Sequence, residues 1–177
     1  MIGKLRGQFQ ALLGQTIASL GRVALVQDNE PSPLVDTLLF TLTDRRNFEL
    51  LVEQDTVQFQ ELSNINGLFA SFELEPGEQL VVYTLEEIVG IRQTVASLTE
   101  IWAGEGETEF LVAVSFWDQD KHPIISVCTE GDEAELMSLE KLWQRVDDMI
   151  FSYGTLSHYL YTSTKKTKAS AERSPIL

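Results

Sequence analysis

The sequence is poor in thiols, in basic residues and in long apolar runs. Its one cysteine, Cys128, has no second thiol to join, which excludes a disulfide-framed secreted domain. Lysine and arginine number 13 against 27 acidic residues, for a formal net charge of −14. A body this acidic repels nucleic-acid phosphate, so no DNA or RNA partner is expected; a basic protein is the natural attractant. No stretch approaches the roughly 18 apolar residues of a membrane helix, so no membrane association is expected. Near the N-terminus Gln8, Gln10 and Gln15 interrupt any apolar signal core, and a cytoplasmic location is expected. A glycine-rich phosphate loop is missing too. Gly104-Glu105-Gly106 sets an acid where phosphate would lie, and no cofactor is expected.

What remains is ordinary globular material. The chain has 177 residues, 44% of them hydrophobic, enough to bury a core without staples. An internal repeat organises it. Gln15-Thr16-Ile17-Ala18-Ser19-Leu20 recurs as Gln93-Thr94-Val95-Ala96-Ser97-Leu98. Upstream, Leu12-Leu13-Gly14 answers Ile88-Val89-Gly90. Downstream, an acidic loop (28–33 or 105–109) leads to an apolar strand (34–43 or 110–117), a polar turn (44–47 or 118–121) and another strand (48–52 or 124–128).

The expected fold class is therefore α+β: two related copies, each a helix followed by antiparallel strands, forming one continuous sheet or two packed lobes, with an amphipathic C-terminal helix. The first copy covers residues 1–83, the second 84–154, and residues 155–177 form a tail. Apolar spacing predicts a helix over Lys4–Leu13, ended by Gly14. Pro31 and Pro33 predict a loop across 28–33. Alternation predicts a half-exposed strand at 56–62 and an amphipathic strand at 68–74, whose turn at 75–78 returns it to 79–83. Thr84 and Glu87 form a capping box that opens a second short helix. The clearest helix spans Leu139–Phe151, capped by Ser138 and followed by Gly154, with Leu139, Leu142, Trp143, Val146, Met149 and Ile150 facing the core. Trp102 and Trp117 are expected in the core as well. From Ser163 onward the tail is rich in Ser, Thr and Lys and reads as flexible.

Candidate chemistry is sparse. Asp118, Asp120 and His122 lie at i, i+2 and i+4, a spacing that puts metal-ligand types on one side of a strand. The segment nevertheless has the composition of a hairpin turn, closed by Pro123, and no metal site is expected. Cys128 sits in an apolar strand with acidic neighbours and reads as a buried structural cysteine. Contiguous acids such as Glu130, Asp132, Glu133 and Glu135 face water rather than each other across a cleft, so no glycosidase-type pair and no enzyme activity are expected.

The acidic loops are then the most informative feature. Glu105, Glu107, Glu109, Asp118, Asp120, Glu130, Asp132, Glu133 and Glu135 fall in or beside turns and are the expected partner-binding residues for a basic protein. A small acidic α+β protein of this kind is similar to bacterial immunity proteins that neutralise toxic nucleases. The resemblance rests on composition and architecture and carries over no residues; it implies a non-catalytic binding module. Two other classes are weighed beside it. An adaptor or assembly factor would use a sheet edge and the basic tail (Lys165, Lys166, Lys168, Arg173). A ligand-binding protein or enzyme would need a pocket between the copies, lined by groups such as Arg45, Arg46, Arg92, His122 or Cys128.

Overall fold

Short hairpins and β-branched runs dominate the chain, and in the computed structural model they build two antiparallel sheets. Residues 6–53, 56–63, 74–85, 92–163 and 172–174 are described. The first sheet contains β1 (Thr16–Gln27), β2 (Glu30–Leu42), β3 (Asn47–Glu53), β4 (Thr56–Leu62) and β5 (Gln79–Thr84) in the order β4-β3-β2-β1-β5, with the short β6 (Gln93–Thr94) also on β1. The second contains β7 (Ser97–Ala103), β8 (Phe110–Trp117), β9 (Pro123–Cys128), β10 (Glu135–Met137), β11 (Leu156–Thr162) and β12 (Glu172–Ser174), ordered β10-β9-β8-β7-β11-β12. Helix α1 (Leu139–Tyr153) joins β10 to β11. In each sheet a four-strand meander is followed by a strand that returns to the free edge of its first member.

The recurring hexapeptides lie on corresponding strands and meet. Thr16 pairs with Thr94, their hydroxyls 2.7 Å apart. Val95 donates its N–H to Gln15 (2.9 Å), and Gly14 donates to the Val95 carbonyl (2.8 Å). Leu20 lies opposite Phe40 and Leu98 opposite Phe116. These two phenylalanines meet edge to face between the sheets, 5.9 Å apart. Phe9 and Phe59 complete the aromatic centre, with Phe9 4.6 Å from Phe59 and 6.0 Å from Phe116.

The α+β expectation is overturned: α1 is the one α-helix among the described residues, and the fold is β-rich. The expected helix at Lys4–Leu13 is, where described, a five-residue 3-10 turn, Gln8–Leu12. Phe9 and Leu12 are three apart, and three residues complete one turn of a 3-10 helix. The spacing that suggested an α-helix is therefore met by the tighter one. The second opening helix falls on residues 86–91, outside the described residues, as does most of the strand expected at 68–74.

The expected loop at 28–33 is also corrected. Asp28 and Asn29 alone form the turn, both with positive φ (52° and 66°), the geometry of a tight type I′ hairpin. Pro31 and Pro33 pair with Val26 and Ala24. β3 reaches only Thr37–Thr41 of β2, so both prolines stand on an overhang with a neighbour on one side, where a missing N–H costs no ladder bond.

Helix α1 follows expectation more closely. The Ser138 hydroxyl accepts from the Lys141 N–H at 3.3 Å, and Gly154 ends the helix at φ 80°. Leu142, Val146 and Met149 pack against Ile101, Val112, Ala113, Cys128 and Leu156 on the outer face of the second sheet. Trp143 and Ile150, expected in the core, are 45% and 36% exposed. They lie at the border of the buried arc, where the sheet no longer covers them. Trp102 is buried as expected and Trp117 is half-buried. Within the segment read as a tail, Glu172–Ser174 pairs with Leu160, Tyr159 and His158. Among the described residues no helix is long and apolar enough to cross a membrane.

Candidate functional site

In a meander, alternate connections share one end of the sheet. The β7–β8 and β9–β10 connections therefore lie at the same end, and with Glu135 at the start of β10 they carry seven of the nine acids singled out above. The first turns at Gly104 (φ 88°), where a Cβ would stand 2.9 Å from the Thr108 carbonyl. A 3-10 turn, Gly106–Thr108, then exposes Glu105 and Glu107. In the second connection the buried Thr129 donates its hydroxyl to Leu111 (2.8 Å) and its N–H to Val112 (2.9 Å). This anchors the turn at Glu130–Asp132. Beyond it, Ala134 donates to the Val35 carbonyl (2.8 Å), and Arg22 reaches the carbonyls of Ala134 (2.7 Å), Leu34 (3.1 Å) and Val35 (3.0 Å). Glu133 and Glu135, on either side of Ala134, are exposed on a segment tied to the first sheet.

Helix α1 completes this end. Glu130 accepts from the Tyr153 hydroxyl (2.9 Å) and pairs with Arg145 (3.2 Å). Arg145 and Asp148 line shallow clefts with Glu130, Glu133 and Glu135. The Glu130 carboxylate, ahead of the other nearby acidic groups, raises the Arg145 pKa and holds its charge more firmly. Neither Arg145 nor Tyr153 was singled out in the sequence: Arg145 lies on the polar arc of an evident helix, while Tyr153 falls beyond the expected end of that helix, on the arc of Leu142, Val146 and Met149, and packs edge to face on Phe110.

Three expected residues lie elsewhere or act differently. Glu109 is buried, not at the surface, and pairs with Arg6. Asp118 and Asp120 are at the opposite end, in the β8–β9 turn. The Asp118 Oδ1 accepts from the N–H groups of His122 (2.8 Å) and Asp120 (2.9 Å), and these bonds, His122 first, hold its carboxyl below the usual range. The β2–β3 turn repeats the device: Asp44 accepts from the Arg46 N–H at 3.1 Å, with Arg45 at φ 72° where Lys121 has 63°. Ligand atoms of Asp118, Asp120 and His122 lie within 4.8 Å of one another, but the turn staple accounts for Asp118 on its own. Cys128 is buried, which raises its thiol pKa.

One polar cluster escaped the sequence reading. Glu100 is fully buried on β7. Its carboxylate accepts from the Gly7 N–H at both oxygens (3.0 and 3.1 Å), from Trp102 Nε1 (3.1 Å) and from the Tyr161 hydroxyl (3.4 Å). Burial pushes its pKa up against the pull of those donors. The Arg6 guanidinium lies over the rings of Tyr159 (4.5 Å) and Trp102 (5.8 Å). The signal was present: in Leu98-Thr99-Glu100-Ile101-Trp102 the acid falls on the same parity as two large apolar residues. This cluster fastens the N-terminal segment to the second sheet.

The chain matches no protein-family model, no curated protein and no solved structure.

Proposed function

We propose that this protein is a non-catalytic binding module that captures a basic protein through the acidic end of its second sheet. The observation that carries the reading is the exposure of Glu105, Glu107, Glu133 and Glu135 at one end of the second sheet, the latter two on a segment pinned by Thr129 and Arg22. Fixed carboxylates of one sign speed encounter with a cationic partner and fix its orientation. The cytoplasm is the compartment we propose, and neutralisation of a basic toxin, in the manner of immunity proteins, is the kind of task this surface suits. The space between the sheets is occupied by Phe9, Phe40, Phe59 and Phe116, which favours a surface mode over a ligand site there.

The test is affinity capture from host lysate with the tagged full-length chain at low and at high salt. One basic protein retained at low salt and released at high salt is the expected result. Recovery of nothing at either salt, or of an acidic partner, would contradict the reading. A second reading, an adaptor that works through a sheet edge, is favoured by one observation: residues of the basic tail, Glu172–Ser174, add to the edge of the second sheet as β12.

A further inference from the structure

Helix α1 has two unlike flanks. The one towards β9 and β10 carries both of its bases, and there Lys141 and Arg145 stand among Glu130, Glu133, Glu135 and Asp148. The one towards β11 carries no base. At 100° per residue, Trp143 and Ile150 border the buried arc, and Asp147, Glu140 and Phe151 follow. Phe151 is 94% exposed and Trp143 45%. Trp143 stacks on His158 of β11, ring centres 6.1 Å apart. Leu160, two residues along the same face of that strand, is 41% exposed. Large apolar groups left in water beside carboxylates mark an interaction surface.

We infer that this flank of α1, with β11, docks an amphipathic basic segment of a partner protein. The choice of occupant follows from charge. A second copy of the chain would bring Glu140 and Asp147 against their own kind on a body of net charge −14. An anionic lipid surface would be repelled for the same reason. A helix or strand with lysines or arginines bordering an aliphatic stripe satisfies both halves of the flank: its apolar residues cover Phe151 and Ile150, and its cations meet Asp147, Glu140 and the face of Trp143. This rests on the reading of the chain as a binder of a basic protein and adds a second, apolar contact to it. The association is thereby less sensitive to salt than one made by the acidic end alone.

The test uses the full chain, labelled with nitrogen-15, titrated with a synthetic amphipathic leucine–lysine peptide about 18 residues long. Amide shifts concentrated on residues 140–160, weakened about tenfold by Phe151→Ser and by Asp147→Lys, are the expected result. Phe151 is so exposed that its replacement leaves the fold intact, and the spectrum of each variant checks this directly. Shifts confined to 105–109 and 130–135 and unaltered by either variant overturn the inference while leaving the acidic-end reading standing. No shifts anywhere overturn both. Self-association of the free chain that protects the flank, seen by sedimentation, overturns the choice of occupant.

Discussion

His158 sits with its Nε2 enclosed and, among the described residues, without a hydrogen-bond partner. Burial lowers its pKa below the ordinary 6.5. The unfolded chain therefore takes up this proton more readily than the folded one. The stability it contributes is present above about pH 6.5 and is lost as pH falls through the folded value. His158→Phe keeps the ring against Trp143 and removes the titration. Its urea midpoint should drop less than that of the wild type between about pH 7.5 and pH 5; equal drops would show that the imidazole does not couple to folding. Two phenylalanines separate core from surface. Phe116→Ala should cost about 3–5 kcal/mol, and Phe151→Ala no more than about 0.5 kcal/mol, both read by urea unfolding. Composition could not tell these residues apart, because both lie in apolar runs and only packing decides which is covered.

At the scale of elements, α1 was legible because its period runs unbroken between two good caps. Its exposed border was not, since a hydrophobic arc says nothing of how wide a sheet lies beneath it. The N-terminal turn was misread for the opposite reason: a single pair of apolar residues fits either helix type. What this segment does depends on partners distant in sequence. Besides the Gly7–Glu100 contact, the Gln8 side chain donates to the Val57 carbonyl and accepts from the Phe59 N–H, each at 3.0 Å, as a neighbouring strand would. It thereby occupies hydrogen-bonding groups of an edge strand that invites unwanted pairing. Glu100→Ala leaves Gly7, Trp102 and Tyr161 donors without their buried acceptor. A loss of at least about 2 kcal/mol is expected, with faster amide exchange at Gly7 and Phe9. Unchanged exchange at those amides would show that the segment is held by its apolar side chains alone.

At the scale of the whole molecule, the repeat pointed to two related copies, each a helix followed by strands, in one continuous sheet or two packed lobes; the described residues form two β-rich sheets instead. The placing of these acids at one end was partly within reach. Once 97–137 is read as a meander, the 105–109 and 129–135 connections must share an end and the 118–122 turn must lie opposite. What no pattern in the sequence conveys is that Glu109 turns inward to Arg6, or that Arg22 ties the acid-bearing segment to the other sheet. The molecule presents more acids than bases at one end and an acid-bordered apolar flank beside it. These two features are what the proposed binding of a cationic protein rests on, in a chain of 27 acidic and 13 basic residues.

The measurement that bears most directly on that account is the affinity of the captured basic partner for two forms of the chain: the wild type and the variant with Glu105, Glu107, Glu133 and Glu135 all changed to Gln. These side chains are exposed, so the variant should fold and unfold as the wild type does. The account predicts affinity at least about tenfold weaker, carried mostly by slower association, with a shallower dependence on salt. Equal affinity and an unchanged salt dependence would contradict it.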